Sequence, residues 1–136
     1  MYPEEIVMPL KHELTSNGFE ELTTKEMVDE AMKRSGTTLV MINSVCGCAA
    51  RAARPGVLLS LEGNKVPDHL VTVFAGFDFE STERVREFLQ PFPPSSPSVA
   101  LFKDGELVHM LERYHIEGHR AEAIADNLKQ AYQEFV

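Results

Sequence analysis

Asn43-Ser44-Val45-Cys46-Gly47-Cys48-Ala49-Ala50 holds both cysteines of the chain, with a single glycine between them. Before it, Thr37-Thr38-Leu39-Val40-Met41-Ile42 is a β-branched and apolar run that reads as a buried strand. After it, Ala49-Ala50-Arg51-Ala52-Ala53-Arg54 is strongly helix-forming. The two thiols therefore sit where a strand turns into a helix. Proteins with α/β architecture place their chemistry there, beyond the carboxyl end of a strand and at the positive end of a helix. A thiolate in that position is favoured by the helix dipole and by free backbone N–H groups, which lowers its pKa.

Upstream, Glu4 to Thr15 carries Ile6, Val7, Leu10 and Leu14 at helical spacing, with Pro9 inside the run. Asn17-Gly18 stops that helix. Phe19-Glu20-Glu21-Leu22 is a short extended piece. Thr23, with Glu26 three residues on, resembles a helix cap ahead of Met27, Val28, Ala31 and Met32. Downstream, Pro55 interrupts the helix after the cysteines, and a proline there removes a hydrogen bond and kinks or breaks the ladder. Leu70–Ala75 reads as a second buried strand and Ser81–Gln90 as a helix with Val85, Phe88 and Leu89 inward. Ser98–Lys103 and Glu106–Leu111 flank Asp104-Gly105, the pattern of a hairpin. Gly118 precedes a last helix from about His119 to Phe135, with Ala121, Ile124, Ala125, Leu128 and Tyr132 inward.

The 136 residues fit one domain with a single core, residues 1–136. Acids outnumber bases 21 to 13, a formal charge of -8, which argues against a nucleic-acid or anionic-membrane surface. No apolar run approaches the roughly 18–20 residues that span a bilayer. Glu4, Glu5, Lys11 and Glu13 near the start do not suit a secretory signal. The expected compartment is the cytoplasm, where a close cysteine pair is redox-active or metal-binding more often than a structural staple.

Two parallel strands joined by a crossover, followed by an antiparallel hairpin, make a mixed four-stranded sheet with helices on both faces. The short piece at Phe19–Leu22 would supply a fifth strand. This α/β arrangement is thioredoxin-like. Together with Ala53-Arg54-Pro55, Val71-Thr72-Val73-Phe74-Ala75-Gly76, Pro94-Ser95-Ser96-Pro97-Ser98 and Ile116-Glu117-Gly118-His119, the Cys-Gly-Cys segment resembles the bacilliredoxin family over nearly the whole chain. The resemblance implies a cytosolic thiol–disulfide oxidoreductase that removes bacillithiol from protein mixed disulfides, with disulfide isomerase activity also attributed to the fold. Its partners would be bacillithiolated client proteins. It would need no cofactor beyond bacillithiol as co-substrate. The chain ends Glu134-Phe135-Val136, so a C-terminal cysteine found in some members is absent.

The resemblance makes Cys46 the nucleophile and Cys48 the second thiol. Thiol–disulfide exchange needs a thiolate attacker, an accessible sulfur and a leaving thiol. Gly47 would let the backbone turn and leave the sulfur uncovered. The resemblance also implies a cis peptide at Ser96–Pro97 beside Cys46. Arg51 and Arg54 read either as a solvated helix face or, for one of them, Arg54 above all, as a forked partner for the carboxylates of bacillithiol's malate group. Ser44, Ser95 and Ser96 would line the same groove. The competing functional reading is zinc held by Cys46, Cys48, His115 and His119, although the cysteine spacing is short for it; a non-catalytic thioredoxin-like binding module is a third.

Overall fold

A computed structural model describes residues 1–136. The elements run α1 (Glu4–Thr15), β1 (Glu20–Glu21), α2 (Lys25–Met32), β2 (Thr37–Asn43), a π-helical turn (Ala49–Ala53) leading into α3 (Arg54–Ser60), β3 (His69–Phe74), α4 (Phe79–Phe88), β4 (Ser98–Lys103), β5 (Glu106–Leu111), α5 (Arg113–Ile116) and α6 (Ala121–Phe135). One five-stranded sheet has the order β1-β3-β2-β4-β5. β2 pairs parallel with β3 and antiparallel with β4, and β4 pairs antiparallel with β5. The fifth strand is the acidic pair Glu20–Glu21, parallel to β3.

β2 is buried along all of its residues, because helices cover both sheet faces. Successive side chains alternate between two cores. Leu39 and Met41, with Val99 and Leu101 of β4, pack against Val57, Ile124, Leu128 and Tyr132 from α3 and α6. Val40 and Ile42, with Val71, Val73, Ala100 and Phe102, pack against Val28 and Ala31 of α2, Val85 of α4 and Leu89 just beyond it. Asp104 and Gly105 take φ of 50° and 83°, the left-handed pair that a two-residue hairpin turn requires.

The structure corrects several local expectations. Thr24 caps α2, its hydroxyl accepting from Met27 N at 3.2 Å, whereas Thr23 Oγ1 donates to Met27 Sδ. The two threonines are chemically equivalent caps, and either choice leaves Val28, Ala31 and Met32 inward. Arg120 holds the cap position of α6, so His119 stands outside that helix. In α1 the inward residues are Val7, Lys11 and Leu14, while Ile6 is 51% exposed. Lys11 turns inward because Asp78, at 2.7 Å, and Glu21 meet its amine beneath β1. Burial alone would favour the neutral amine, but hydrogen bonds and charge from Asp78 and Glu21 outweigh it and hold the amine protonated.

Pro55 does not break the chain's helical path. It has no N–H to give Arg51, and Arg54 N instead bonds Ala49 O, five residues back. The wide turn absorbs the proline, which then sits in the first turn of α3. α3 is pressed against α6, where the buried Tyr132 hydroxyl meets Ser60 Oγ at 2.9 Å. Burial pushes the Tyr132 phenol up to about 12 from 10.0, with the Ser60 hydrogen bond opposing. Between those values the unfolded chain has released a proton that the folded one keeps, so stability is expected to fall as pH rises through the window. Urea midpoints measured across it should decline in the wild type more steeply than in Tyr132→Phe.

Candidate active site

The site begins at the carboxyl end of β2. Asn43 is buried, and its Oδ1 accepts from Ser44 N at 2.8 Å and from Arg54 Nη1 at 3.0 Å. Its Nδ2 donates to Leu10 O of α1. Ser44 Oγ accepts from Cys46 N at 2.9 Å, which closes a serine turn two residues long. Cys46 O then accepts from Ala49 N and Ala50 N and starts the π-helical turn. The backbone that carries the thiols is thus fixed on its strand side by side-chain hydrogen bonds and on its helix side by the first turn.

Cys46 is partly exposed and Cys48 is 6% exposed; both are free thiols. Their sulfurs lie 2.7 Å apart, in hydrogen-bonding contact. On the open side, Arg113 Nη2 donates to Cys46 Sγ at 3.2 Å. Burial by itself raises the Cys46 thiol, but hydrogen bonds from the Cys48 thiol and N–H, the Arg113 charge and the Ala49 N–H outweigh it, so the thiol falls below the usual cysteine range. Cys48 moves the opposite way: burial, the hydrogen bond to Cys46 and the charge on Cys46 raise it, with Arg113 opposing. The two thiols interact so closely that their pKa values are pushed apart, with Cys46 the more acidic member.

Gly47 has no positive φ, so its value is space rather than backbone freedom. A Cβ there would come within 2.9 Å of the Arg51 guanidinium, which lies across the glycine. Ser96–Pro97 is cis, and Arg113 Nη1 donates to Ser96 O at 3.3 Å. One guanidinium therefore ties the peptide before Pro97 to the Cys46 sulfur. Cys46, Cys48 and the Ser96 carbonyl are brought together in this way through Arg113.

Arg54 and Ser44 do not join them as groove residues. Arg54 is 1% exposed, with Nε bonded to Glu13 Oε1 at 2.9 Å and Nη1 to Asn43 Oδ1 and Ser44 O. It clamps the turn from below and faces no ligand. Ser44 is buried with its hydroxyl held by Cys46 N. Arg51 is the arginine left open. It lines a cleft of about 550 Å³ with Cys48, Glu117, His119 and Arg120. The zinc arrangement is not formed, since no three His, Cys, Asp or Glu side chains converge. His115 Nδ1 instead accepts from Glu112 N in a capping box. No helix is long and apolar enough to cross a membrane. Arg113 is the site residue that the sequence left unmarked. It stands 67 positions from Cys46, and only the β5–α5 junction brings it back.

A family model described as "Disulphide isomerase" matches residues 2–136. A bacilliredoxin of Cytophaga hutchinsonii is 58% identical over 134 residues, covering 98% of this chain and 99% of its own. A bacilliredoxin of Halalkalibacterium halodurans is 55% identical, covering 98% and 93%. Among solved structures, the oxidised mitochondrial thioredoxin 3 of Saccharomyces cerevisiae superposes with a TM-score of 0.60 at 17% identity, over 90% of this chain and 99% of that one. Oxidised thioredoxin of Plasmodium falciparum gives 0.58 at 19% identity, over 85% and 98%. The fold is thus that of thioredoxin, and full-length likeness at this identity means that the chain belongs to the bacilliredoxin family and is a thiol–disulfide oxidoreductase.

Proposed function

We propose that the protein removes bacillithiol from mixed disulfides on client proteins in the cytoplasm, with the Cys46 thiolate as attacker. The observation that carries this reading is the asymmetry of the pair: an open, acidified Cys46 against a buried, less acidic Cys48. Cys46 attacks the bacillithiol sulfur of the mixed disulfide. A new bond forms between Cys46 and bacillithiol, and the client leaves as a thiolate. Cys48, once deprotonated, attacks Cys46, closes the Cys46–Cys48 disulfide and expels bacillithiol as its thiolate. A cellular thiol reductant then returns two electrons to the pair. No cofactor takes part.

Gly47 and the Ser96–Pro97 segment leave the sulfur open to an incoming disulfide. Arg51 takes over the role that Arg54 cannot fill, offering forked donors to the carboxylates of the small thiol. The experiment is to mix the reduced protein with a bacillithiolated client and follow both by intact mass. The client should lose one bacillithiol while the protein loses two hydrogens. A client that stays modified, while an ordinary protein disulfide is opened or rearranged, would replace this reading with a general reductase or isomerase.

A further inference from the structure

We propose that Arg113 is a catalytic residue of the thiol exchange, holding the Cys46 thiolate, and that Glu117 tempers it by competing for the same guanidinium. The inference rests on geometry rather than on the identity of the client. Arg113 opens α5 immediately after β5, and its guanidinium faces three groups at once. Nη2 points at Cys46 Sγ at 3.2 Å, Nη1 at Ser96 O at 3.3 Å, and Nε at Glu117 Oε2 at 2.9 Å. Its backbone N–H donates to Ser95 Oγ, which ties the start of α5 to the loop before Pro97. A planar fork can meet the three acceptors together, whereas an ammonium group on a flexible stem cannot hold that set.

Few other charges face the Cys46 sulfur. The turn itself contributes Cys48, and the π-helical turn contributes Arg51, which lies over Gly47. The segment Ser95–Pro97 carries no titratable side chain. Beyond Cys48, the cleft adds His119, Arg120, Glu117 and Glu122. Arg54 is buried, with Nε bonded to Glu13 and Nη1 to Asn43 Oδ1 and Ser44 O. Arg113 is thus the cation in hydrogen-bond contact with the nucleophile, and Glu117 competes with the thiolate for the same guanidinium.

This competition fixes the direction of each consequence. When Cys46 carries a mixed disulfide or bonds Cys48, its negative charge is gone and Arg113 keeps only Ser96 O and Glu117. Arg113 therefore favours the reduced thiolate over either oxidised form and makes the pair a better oxidant. Because Arg113 and Glu117 are 45% and 61% exposed, the effect is moderate and screened by salt.

The test reads the thiol directly, in a Cys48→Ala background, with iodoacetamide as an uncharged alkylating probe. Arg113→Met should move the pH profile of alkylation upward and slow the reaction near neutral pH roughly fivefold, the scale of one unit charge at about 4 Å in water. Arg113→Lys should recover part of the loss. Glu117→Gln should shift the profile the opposite way, and most of that shift should vanish when Arg113 is already Met. With both thiols present, Arg113→Met should make the Cys46–Cys48 disulfide harder to reduce. A profile unchanged by Arg113→Met overturns the proposal. Shifts of the same sign in Arg113→Met and Glu117→Gln also overturn it, because they would mean that both residues merely hold α5. Neither outcome depends on whether bacillithiol is the thiol carried.

Discussion

Cys46→Ala is expected to lose release of bacillithiol from a modified client by on the order of 10³-fold or more, the scale on which removal of a covalent nucleophile acts. The remaining thiol cannot take over, since Cys48 is 6% exposed and its pKa is raised. Cys48→Ala should behave differently. The attacking sulfur is still open and Arg113 still faces it, so one turnover should complete at a rate within several-fold of wild type. The hydrogen bond that Cys48 gives Cys46 is lost, which accounts for the modest slowing. The variant should then stall with one bacillithiol held on Cys46, because nothing displaces it. Intact mass reads both species, as client mass falls and enzyme mass rises by the same adduct. Substantial release by Cys46→Ala, or no adduct on Cys48→Ala, would defeat the division of labour.

A large loss of stability is expected from a single substitution at Gly56. Here α3 crosses α6 so closely that a Cβ would lie 2.7 Å from Ile124 Cβ and 2.9 Å from the Ala121 carbonyl oxygen. Neither is the free end of a flexible chain, so the helices must part. Two effects oppose each other in Gly56→Ala. The gain in helix propensity is about 1 kcal/mol, and overpacking costs about 1–3 kcal/mol. Alanine should therefore be mildly destabilising. Gly56→Val adds two more methyl groups and gives up most of the propensity gain, and it should cost about 3 kcal/mol. At a chain length of 136 this lowers Tm by roughly 10 °C. Urea titration should show a lower midpoint at unchanged slope. Stability within about 0.5 kcal/mol of wild type for Gly56→Val would show that the two helices can separate freely, contrary to the packing.

What the sequence disclosed was local. The Thr37–Asn43 run, the Asp104-Gly105 hairpin and the thiols at a strand end are each written in one short run of adjacent residues, and each stands as read. The fold follows because the order of such pieces leaves few topologies. The errors arose where a residue's role is set from elsewhere in space. Lys11 breaks the apolar stripe of α1 because Asp78 and Glu21 are waiting beneath β1. Arg54 reads as a surface arginine among alanines, but Asn43, Ser44 and Glu13 surround it. Arg113 lies in Glu112-Arg113-Tyr114-His115, a stretch with no periodicity or motif, and only the β5–α5 corner turns it toward Cys46.

The brevity of β1 has a consequence for self-association. An outer strand exposes unpaired N–H and C=O groups on which another chain can build, and proteins blunt that hazard with short, charged or bulged edges. Here one margin of the sheet is two glutamates long, with Glu20 tied to Arg34 and Glu21 to Lys11. The opposite margin, β5, shifts register against β4 between Leu101 and Phe102. Neither rim offers a long, straight, neutral template. Edges of this kind disfavour strand-to-strand pairing between copies of the chain.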